Sequence, residues 1–333
     1  MKSIAEIIEA AQRRRGAPDG PAAGSGGSAG RAAGGQRPAP PRIAVAAAQD
    51  ERVLESLSAA RERGLGEPVL VGDRRMIRNI ASRLRLDLGG LEIFHETDRA
   101  AAVRTAIELV RDGKAGTAMK GQVETAVFLR WVVKKDMGLN TGRLISHLGV
   151  IESPFYHKLL FLSDGALNIA PSLEDKIGII ENAVSLVRSL GLRRPKVALL
   201  AALEQVNPGR MPCTADAAVL TQMNRRGRFP GCIIDGPLAL DNALHGGSAK
   251  IKGIDSPVAG DADILIAPSI EAGNILYKAL VYLGKARSAG IILGTRVPVI
   301  LTSRAADAET RLASIALGTL TGAVSAAAGS RGR

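Results

Sequence analysis

The chain has 333 residues, of which 46% are hydrophobic and 23% are charged, so it can bury the core of one or two globular domains. Its two cysteines, Cys213 and Cys232, are too few for a disulfide framework and lack CxxC spacing, which favours a reducing cytoplasm. The net charge of +12 fits small polyanionic substrates or solubility alone, and no zinc-finger spacing or aromatic RNA-binding pattern accompanies it to indicate nucleic-acid binding.

The first segment predicts a helix followed by a linker. Residues 1–15 carry apolar side chains at helical spacing and predict an amphipathic helix. These side chains are Ile4, Ile7, Ile8 and Ala11. Residues 16–41 are rich in Gly, Ala, Pro and Ser, so they cannot offset the entropy of ordering and are predicted to form a disordered linker. Residues 328–333 are predicted to form a flexible tail.

Neither a secretory signal peptide nor a membrane helix is predicted. Glu6 and Glu9 interrupt the first apolar stretch and arginines follow it, which is the wrong order for a signal peptide. No apolar run approaches the roughly 18 residues that a membrane helix requires. We therefore expect a soluble protein.

From residue 42 onward, short apolar runs alternate with amphipathic stretches. The apolar runs predict buried strands: RIAVAAA, EPVLVGD, LEIFH, AGTAMKG, KVALLAA, GCIIDG, ADILIAP, AGIILG and VPVILTS. The amphipathic stretches predict helices: 51–63, 74–84, 98–110, 123–134, 173–190, 215–226 and 274–283. Repeated strand-then-helix units imply an α/β fold with a mainly parallel sheet and helices on both faces.

Ligands of such a sheet bind beyond the carboxyl ends of its strands, so polar residues that directly follow predicted strands are candidate site residues. Four clusters meet this condition: Lys120 to Gln122, Asp235 to Pro237, Pro268 to Asn274, and Thr302 to Arg304. In the third cluster, Gly273 would let a ligand approach the backbone, and Asn274 offers a donor and an acceptor. A strand-to-helix turn capped by Asn274 would explain the same residues.

The cluster after VPVIL places the hydroxyl groups of Thr302 and Ser303 next to Arg304 in sequence, just before a predicted helix start. A guanidinium presents a planar fork of donors to phosphate oxygens, and a helix N-terminus adds oriented N–H groups. A helix cap at Ser303 and a surface salt bridge at Arg304 would explain the motif equally well. The motif alone leaves both interpretations open.

Most common catalytic and metal-binding signatures are missing from the sequence. It has no GxGxxG after a strand, no Walker A motif, no HExxH and no GxSxG. The histidines lack metal-ligand spacing and are expected to be surface or packing residues: His95, His147, His157 and His245. Asp261 and Asp263 directly precede a strand and are interpreted as a solvated turn. We expect no obligatory metal and no redox cofactor.

Several blocks of the sequence resemble one family. SPVAG at 256–260, ADILIAPSIEAGNILYKAL and AGIILGTRVPVILTSRAADAETRLASIAL resemble the C-terminal signature of phosphate acetyltransferases and phosphate butyryltransferases. Further blocks follow the same order upstream: EPVLVGD, AGTAMKGQVETA, GLNTGRLISHLGVIESP, LLFLSDGALNIAPSLEDK and FPGCIIDGPLALDNA. The resemblance runs from about residue 42 to the C-terminal region, and the butyryltransferase branch looks nearer.

The resemblance implies two α/β/α subdomains around a cleft, as in isocitrate and isopropylmalate dehydrogenases, and a homodimer. Subdomain I would comprise 42–145 and 293–327, and subdomain II would comprise 146–292. It also implies reversible acyl transfer between coenzyme A and inorganic phosphate, with coenzyme A as a substrate and no tightly bound cofactor. The thiolate of coenzyme A would attack an acyl phosphate directly in a ternary complex, and phosphate would leave.

By position, Ser303 and Arg304 match the family's Ser-Arg pair, in which Arg304 would bind phosphate and Ser303 would assist the developing charge. Arg143 corresponds to a second family arginine, with Thr141 and Ser146 near the acyl phosphate. The resemblance and the strand ends together suggest further cleft residues: Lys120, Gly121, Asp235, Gly273, Asn274 and Lys278.

The general base departs from the acetyltransferase pattern, where an Asp follows the pair by seven residues. Here that offset falls on Thr310, so Glu309 is the first candidate base and Asp307 the second. Two alternatives to an acyltransferase stay open. One is a dehydrogenase of the related fold, which would need clustered metal-binding aspartates that the sequence lacks, and the other is a catalytically silent binding or regulatory module. The sequence does not indicate the acyl chain length.

Overall fold

The computed structural model of the chain describes residues 2–14 and 41–329, which form a mixed α/β fold. The strands are β1 (Arg42–Ala46), β2 (Glu67–Gly72), β3 (Glu92–His95), β4 (Thr117–Lys120), β5 (Ser146–Glu152), β6 (Leu160–Ser163), β7 (Lys196–Leu200), β8 (Ile233–Leu238), β9 (Ile264–Ile266), β10 (Arg287–Leu293) and β11 (Val299–Ile300).

The helices of the same residues are α1 (Ile4–Arg14), α2 (Glu51–Glu62), α3 (Arg74–Leu84), α4 (Arg99–Arg111), α5 (Thr125–Val133), α6 (Leu173–Ser189), α7 (Pro212–Arg225), α8 (Leu240–Leu244), α9 (Gly246–Ile251), α10 (Ile270–Lys278) and α11 (Ala308–Gly329). A 3₁₀ turn spans Lys135–Met137, and α10 continues as a π-helical segment over Ala279–Leu283.

Capping side chains fix where several helices begin. Asp50, Asp73 and Asp98 each accept a hydrogen bond from a backbone N–H in the first turn of α2, α3 and α4. Ser172 and Asp175 form a reciprocal capping box at the start of α6. Each cap satisfies a donor that the helix leaves open, so the sequence itself marks these boundaries.

All the named strands belong to one sheet, in the order β3-β2-β1-β4-β11-β10-β5-β6-β9-β7-β8. The outer pairs are parallel, and three central pairs, β11–β10, β10–β5 and β5–β6, are antiparallel. The predicted α/β class and the mainly parallel sheet are therefore confirmed. The antiparallel centre was not predicted.

Two strands, β5 and β6, were missed by the sequence analysis. Gly149 lies inside β5, and a glycine weakens the pattern by which a strand is recognised. A Cβ at this position would lie 3.0 Å from ring carbons of Tyr277, so the glycine makes room for α10 to pack on the sheet. β6 has four residues and was not among the predicted runs, although β3 and β4 are as short and were predicted.

Helices cover both faces of the sheet. Alternate residues of β1 point to opposite sides, because successive side chains of a strand face opposite ways. Ile43 and Val45 belong to the core that includes residues of α2 and α11, whereas Ala44 and Ala46 belong to the core that includes residues of α4. The sheet is therefore enclosed between two apolar layers, as predicted.

The predicted N-terminal helix is confirmed as α1, which packs on α11. Its apolar face is buried, with Ile4, Ile7 and Ala11 each at most 1% exposed. Apart from Pro41, the predicted linker lies outside the described residues, as do residues 330–333 of the predicted tail. The division into two subdomains stays a prediction. None of the helices that the structure describes is long and apolar enough to cross a membrane.

Candidate active site

A cavity of about 450 Å³ lies where β6 and β11 end and where α5 and α10 begin. We call it the central cavity. Gly165 follows β6, Ser303 follows β11, and Thr125 and Ile270 are the first residues of α5 and α10. Two helix N-termini therefore open at the cavity, and the backbone N–H groups of such ends attract anions.

Three of the predicted site residues line the central cavity: Asn274, Lys278 and Ser303. The Asn274 side-chain amide donates to the carbonyl oxygen of Gly165 at 2.8 Å, which joins α10 to the loop after β6. A Cβ on Gly273 would lie 2.2 Å from the carbonyl oxygen of Asp164, so this glycine permits close packing of α10 on that loop. In this structure the Gly-Asn pair therefore positions one wall of the cavity.

Lys120, another predicted site residue, is the last residue of β4 and is fully buried. Its Nζ donates to the carbonyl oxygens of Gly121 at 3.3 Å and Val123 at 3.2 Å. Within residues 2–14 and 41–329 it forms no ion pair with a carboxylate. A buried ammonium group held only by carbonyl dipoles is costly, which is the state expected of a group that awaits an anion.

Arg311 is a second buried cation that the sequence analysis did not identify. It lies in α11 and is 1% exposed. Its guanidinium donates to Thr302 Oγ1 at 3.2 Å and to the carbonyl oxygen of Arg304 at 3.0 Å, so it supports the loop after β11. Its Nε has no hydrogen-bond partner in the described part of the chain, and Arg311 forms no ion pair there.

Arg304 and Arg311 are close enough to Lys120 to repel its charge, and we call these three residues the basic cluster. Burial, together with the charges of Arg311 and Arg304, lowers the pKa of Lys120 to about 8, and the charge of Asp50 opposes this effect. Burial also lowers the pKa of Arg311. The cluster thus concentrates positive charge around the Thr302–Arg304 loop, with Asp50 as a nearby carboxylate.

The loop between β11 and α11 presents Ser303 at the surface of the central cavity. Its hydroxyl accepts a hydrogen bond from the backbone N–H of Ala305 at 3.3 Å. The predicted residue Gly121 directly follows Lys120 at the end of β4. A Cβ there would be 2.4 Å from the carbonyl oxygen of Ala47, so only a glycine lets the ends of β4 and β1 approach this closely.

Arg143 and Thr141 do not line the central cavity. They line a separate cavity of about 170 Å³ beside Gly294, whose carbonyl oxygen accepts a hydrogen bond from Thr141 Oγ1 at 2.8 Å. Ser146, the first residue of β5, is fully buried and accepts a hydrogen bond from the Asn182 side chain at 3.0 Å. The structure therefore places these three predicted residues apart from Ser303.

Asp235 lies farther away, on the edge strand β8. Five strands separate β8 from β11 in the sheet, and neighbouring strands are about 4.8 Å apart. The structure does not bring Asp235 to the central cavity.

The two candidate bases, Glu309 and Asp307, line another cavity of about 320 Å³ near α1, which we call the side cavity. Glu309 forms an ion pair with Arg287, at the start of β10. Asp307 caps α11 by accepting a hydrogen bond from the backbone N–H of Thr310 at 2.7 Å. Neither carboxylate lines the central cavity.

His147 is a cavity residue that the sequence analysis interpreted as surface or packing. It lies on β5, is 9% exposed and lines the central cavity with Ser303. Burial lowers the pKa of its imidazole, and the nearby charge of Asp164 opposes this effect. No sequence signal pointed to it, because the strand that carries it was itself missed.

The pair before β9 differs from its interpretation as a solvated turn. Asp263 is 4% exposed and forms an ion pair with Lys158 at 2.6 Å. Asp261 pairs with Lys158 and Lys196, and the hydrogen bonds from these lysines hold its pKa well below its usual range. Among the residues that the structure describes, no group of three His, Cys, Asp or Glu side chains converges as a metal site.

The fold and the site define a class: an α/β protein with a cavity and buried cations at the carboxyl ends of its strands. A family model described as "Phosphate acetyl/butaryl transferase" matches residues 33–101 and 95–319. The phosphate butyryltransferase of Clostridium acetobutylicum is 47% identical over 279 residues, which are 84% of this chain and 92% of that protein. The chain belongs to the phosphate acetyl/butyryl transferase family.

Solved structures agree with this assignment. A branched-chain phosphotransacylase from Enterococcus faecalis has a TM-score of 0.72 and 32% identity, covering 84% of this chain and 98% of that one. A 4-hydroxythreonine-4-phosphate dehydrogenase from Klebsiella pneumoniae has a TM-score of 0.52 and 13% identity, covering 85% of this chain and 99% of that one. The second likeness shows a shared fold with a dehydrogenase and nothing about activity.

Proposed function

We propose that this protein is a phosphate acyltransferase that moves an acyl group reversibly between coenzyme A and inorganic phosphate in the central cavity. The observation that carries the proposal is the pair of buried cations, Lys120 and Arg311, beside the Ser303–Arg304 loop. Neither forms an ion pair within the described residues, so a phosphate dianion would supply the missing counter-charge.

The loop after β11 would hold the transferring phosphate. Arg304 would bind its oxygens, and Ser303 would donate to the charge that develops on them. Arg311 fixes the loop through Thr302 and the Arg304 carbonyl, so it would act on phosphate partly by holding Arg304 in place. The N-terminus of α5, whose N-cap Glu124 makes no side-chain capping hydrogen bond, would add backbone donors at the same cavity.

The acyl group would lie against the apolar part of the same cavity. Leu162, Ala166 and Ile270 contribute this wall, opposite the polar loop. The thiolate of coenzyme A would attack the carbonyl carbon of the acyl phosphate, forming a C–S bond while the C–O bond to phosphate breaks. Lys278 at the cavity mouth would attract the phosphate groups of coenzyme A.

The names of the relatives support acetyl, butyryl and branched acyl groups alike. One methylene in an apolar pocket is worth about 1–3 kcal/mol, so a few wall residues would decide the preference. Arg143 and Thr141 lie in the separate cavity beside Gly294, and we propose that they contact a distal part of coenzyme A. For Ser146 and Asp235 we propose only a structural role, as residues of β5 and β8.

The proposed setting is the cytoplasm, which the two free cysteines support. A homodimer is supported by three apolar residues that are exposed on one helical segment: Ile275, Tyr282 and Leu283. Light scattering of the purified protein tests the dimer.

The proposed reaction is tested by following loss of acetyl-CoA, butyryl-CoA and isobutyryl-CoA with and without phosphate. We expect turnover of at least one acyl-CoA that disappears when phosphate is withheld, and a loss of at least about tenfold in Arg304→Ala. Folded protein that turns over none of them would favour a catalytically silent module. Reduction of a nicotinamide cofactor by a hydroxy acid would favour the dehydrogenase alternative.

A further inference from the structure

His147 is a buried polar side chain in the central cavity that the proposed reaction leaves without a role. Its backbone is held on both sides: the N–H donates to Asp164 Oδ2 at 2.9 Å, and the carbonyl oxygen accepts from Ser163 Oγ at 2.7 Å. The imidazole therefore projects from a fixed point of β5.

The surroundings of the ring direct Nε2 towards the end of β11. The ring packs edge-on against Tyr277, with 6.5 Å between the centroids. A Cβ on Gly290 would lie 3.1 Å from Nε2 and 2.6 Å from the carbonyl oxygen of Leu301. Because Gly290 has no side chain, Nε2 occupies the space beside Leu301, and Ser303 follows two residues later.

The two ring nitrogens of His147 have different environments. Nδ1 is buried and has no hydrogen-bond partner in the described part of the chain. Nε2 also has no hydrogen-bond partner there. Unlike Nδ1, however, it is not buried, so it is in contact with the open space of the cavity. An orphaned buried N–H costs about 1–3 kcal/mol, so the proton of the neutral ring is favoured on Nε2.

The charged and titratable groups around the ring also favour an uncharged imidazole. Burial lowers the pKa of His147. The charge of Asp164 opposes this effect. Its two oxygens, however, already accept four hydrogen bonds, from the backbone N–H groups of His147, Ala166 and Leu167 and from the side-chain amide of Asn168. The Tyr277 hydroxyl donates to Ser288 Oγ at 2.9 Å, and burial raises the pKa of this tyrosine, so it is uncharged as well.

We propose that His147 donates a hydrogen bond from Nε2–H to the carbonyl oxygen of the acyl group during transfer, an inference that rests on the proposed acyl transfer. When the thiolate adds to the carbonyl carbon, the C=O electron pair moves onto oxygen, and it returns when the C–O bond to phosphate breaks. The imidazole keeps its proton throughout. A neutral donor also suits this position because it does not compete with the basic cluster for phosphate.

Three variants test the donor. His147→Leu removes it, His147→Gln places an amide N–H at similar reach, and His147→Asn places a shorter one. We expect His147→Leu to lower kcat by about 10²–10³-fold with little change in KM for phosphate, and His147→Gln to recover at least about tenfold of that loss. Asn should recover less. His157→Gln is the matched control, because His157 is exposed and pairs with Asp261, and its activity should match wild type.

Equal loss in folded His147→Gln and His147→Leu would overturn the proposal, since glutamine can donate but cannot accept a proton as a base. A second measurement needs no turnover: imidazole ¹⁵N chemical shifts of the wild-type protein at neutral pH. The expected result is a neutral ring protonated on Nε2, and a charged ring or an Nδ1–H tautomer would contradict the proposal. If no acyl-CoA is turned over, the proposed function fails, while the tautomer measurement still decides this geometry.

Discussion

Arg311 lies on the stripe of side chains that α11 buries against the sheet. Ser314 and Ile315, one turn further along, are both fully buried on the same stripe. An arginine on the apolar face of a helix indicates a candidate functional residue, because an arginine is almost never fully buried without a partner. Arg311 was nevertheless not among the site residues predicted from this segment.

Arg311→Met should separate stability from activity. Replacing an unpaired buried cation by an apolar side chain of similar length is expected to leave the melting temperature unchanged or raised. The loss of a charge-assisted contact should lower kcat/KM for phosphate by about 10- to 100-fold. Thermal unfolding and phosphate saturation curves on one preparation measure both effects. Arg311→Lys, which keeps the charge, is the control, and a large fall in melting temperature in Arg311→Met would indicate a structural role only.

Lys120 predicts a pH dependence of phosphate binding. Its pKa is about 8 in the free protein, because burial and the charges of Arg304 and Arg311 lower it against the opposing charge of Asp50. As the pH rises through 8, Lys120 loses the proton that attracts phosphate, so KM for phosphate should rise. In Lys120→Met, KM should be higher at pH 7 and should lack this increase. Comparing the two proteins at each pH cancels the titration of phosphate itself.

The same lowered pKa predicts how stability depends on pH. An unfolded lysine has a pKa of about 10.4, so between about pH 8 and that value the unfolded chain binds more protons than the folded one. Lys120 therefore destabilises the fold below pH 8, and this cost decreases as the pH rises. Equal slopes of stability against pH in wild type and Lys120→Met over this window would contradict the assignment.

At the scale of elements, the start of α11 determines whether the bases predicted from the sequence lie at the central cavity. Glu309 pairs with Arg287 in the side cavity, whereas Ser303, only six residues earlier, lines the central cavity. The turn from the β11 loop into the helix carries the chain from one cavity to the other. We therefore expect Glu309→Gln to keep turnover within a few-fold of wild type. A loss of about 10²–10⁴-fold, measured as acyl-CoA consumption, would restore Glu309 as the base.

The elements that the sequence predicted correctly are those with strong local signals. The nine predicted runs became strands, and Asp or Ser caps marked several helix starts. β5 and β6 were missed, and neither an internal glycine nor a short length explains this by itself, since β10 carries Gly290 and β9 has only three residues. His147 was missed with its strand, since only the pairing of β5 with β10 places it beside the end of β11.

At the scale of the whole molecule, the strand order assembles the candidate site. β4, β11, β10, β5 and β6 are consecutive in the sheet but come from two separate stretches of the chain, residues 117–163 and 287–300. Local patterns can mark Ser303 and Lys120 as residues at strand ends, but they cannot show that these ends are neighbours. The family resemblance named Ser303 and Arg304, and the structure adds the two buried groups behind them, Arg311 and His147.

The central proposal is that the buried cations hold phosphate. One measurement tests this proposal most directly. This is the initial rate of acyl-CoA consumption as a function of phosphate concentration, in wild type and in the double variant Lys120→Met/Arg311→Met. Lys250→Met/Arg193→Met, which removes two exposed cations, is the control. We expect saturable phosphate dependence in wild type and the control, with KM for phosphate raised at least about tenfold in the double variant. The same phosphate dependence in all three proteins would contradict it.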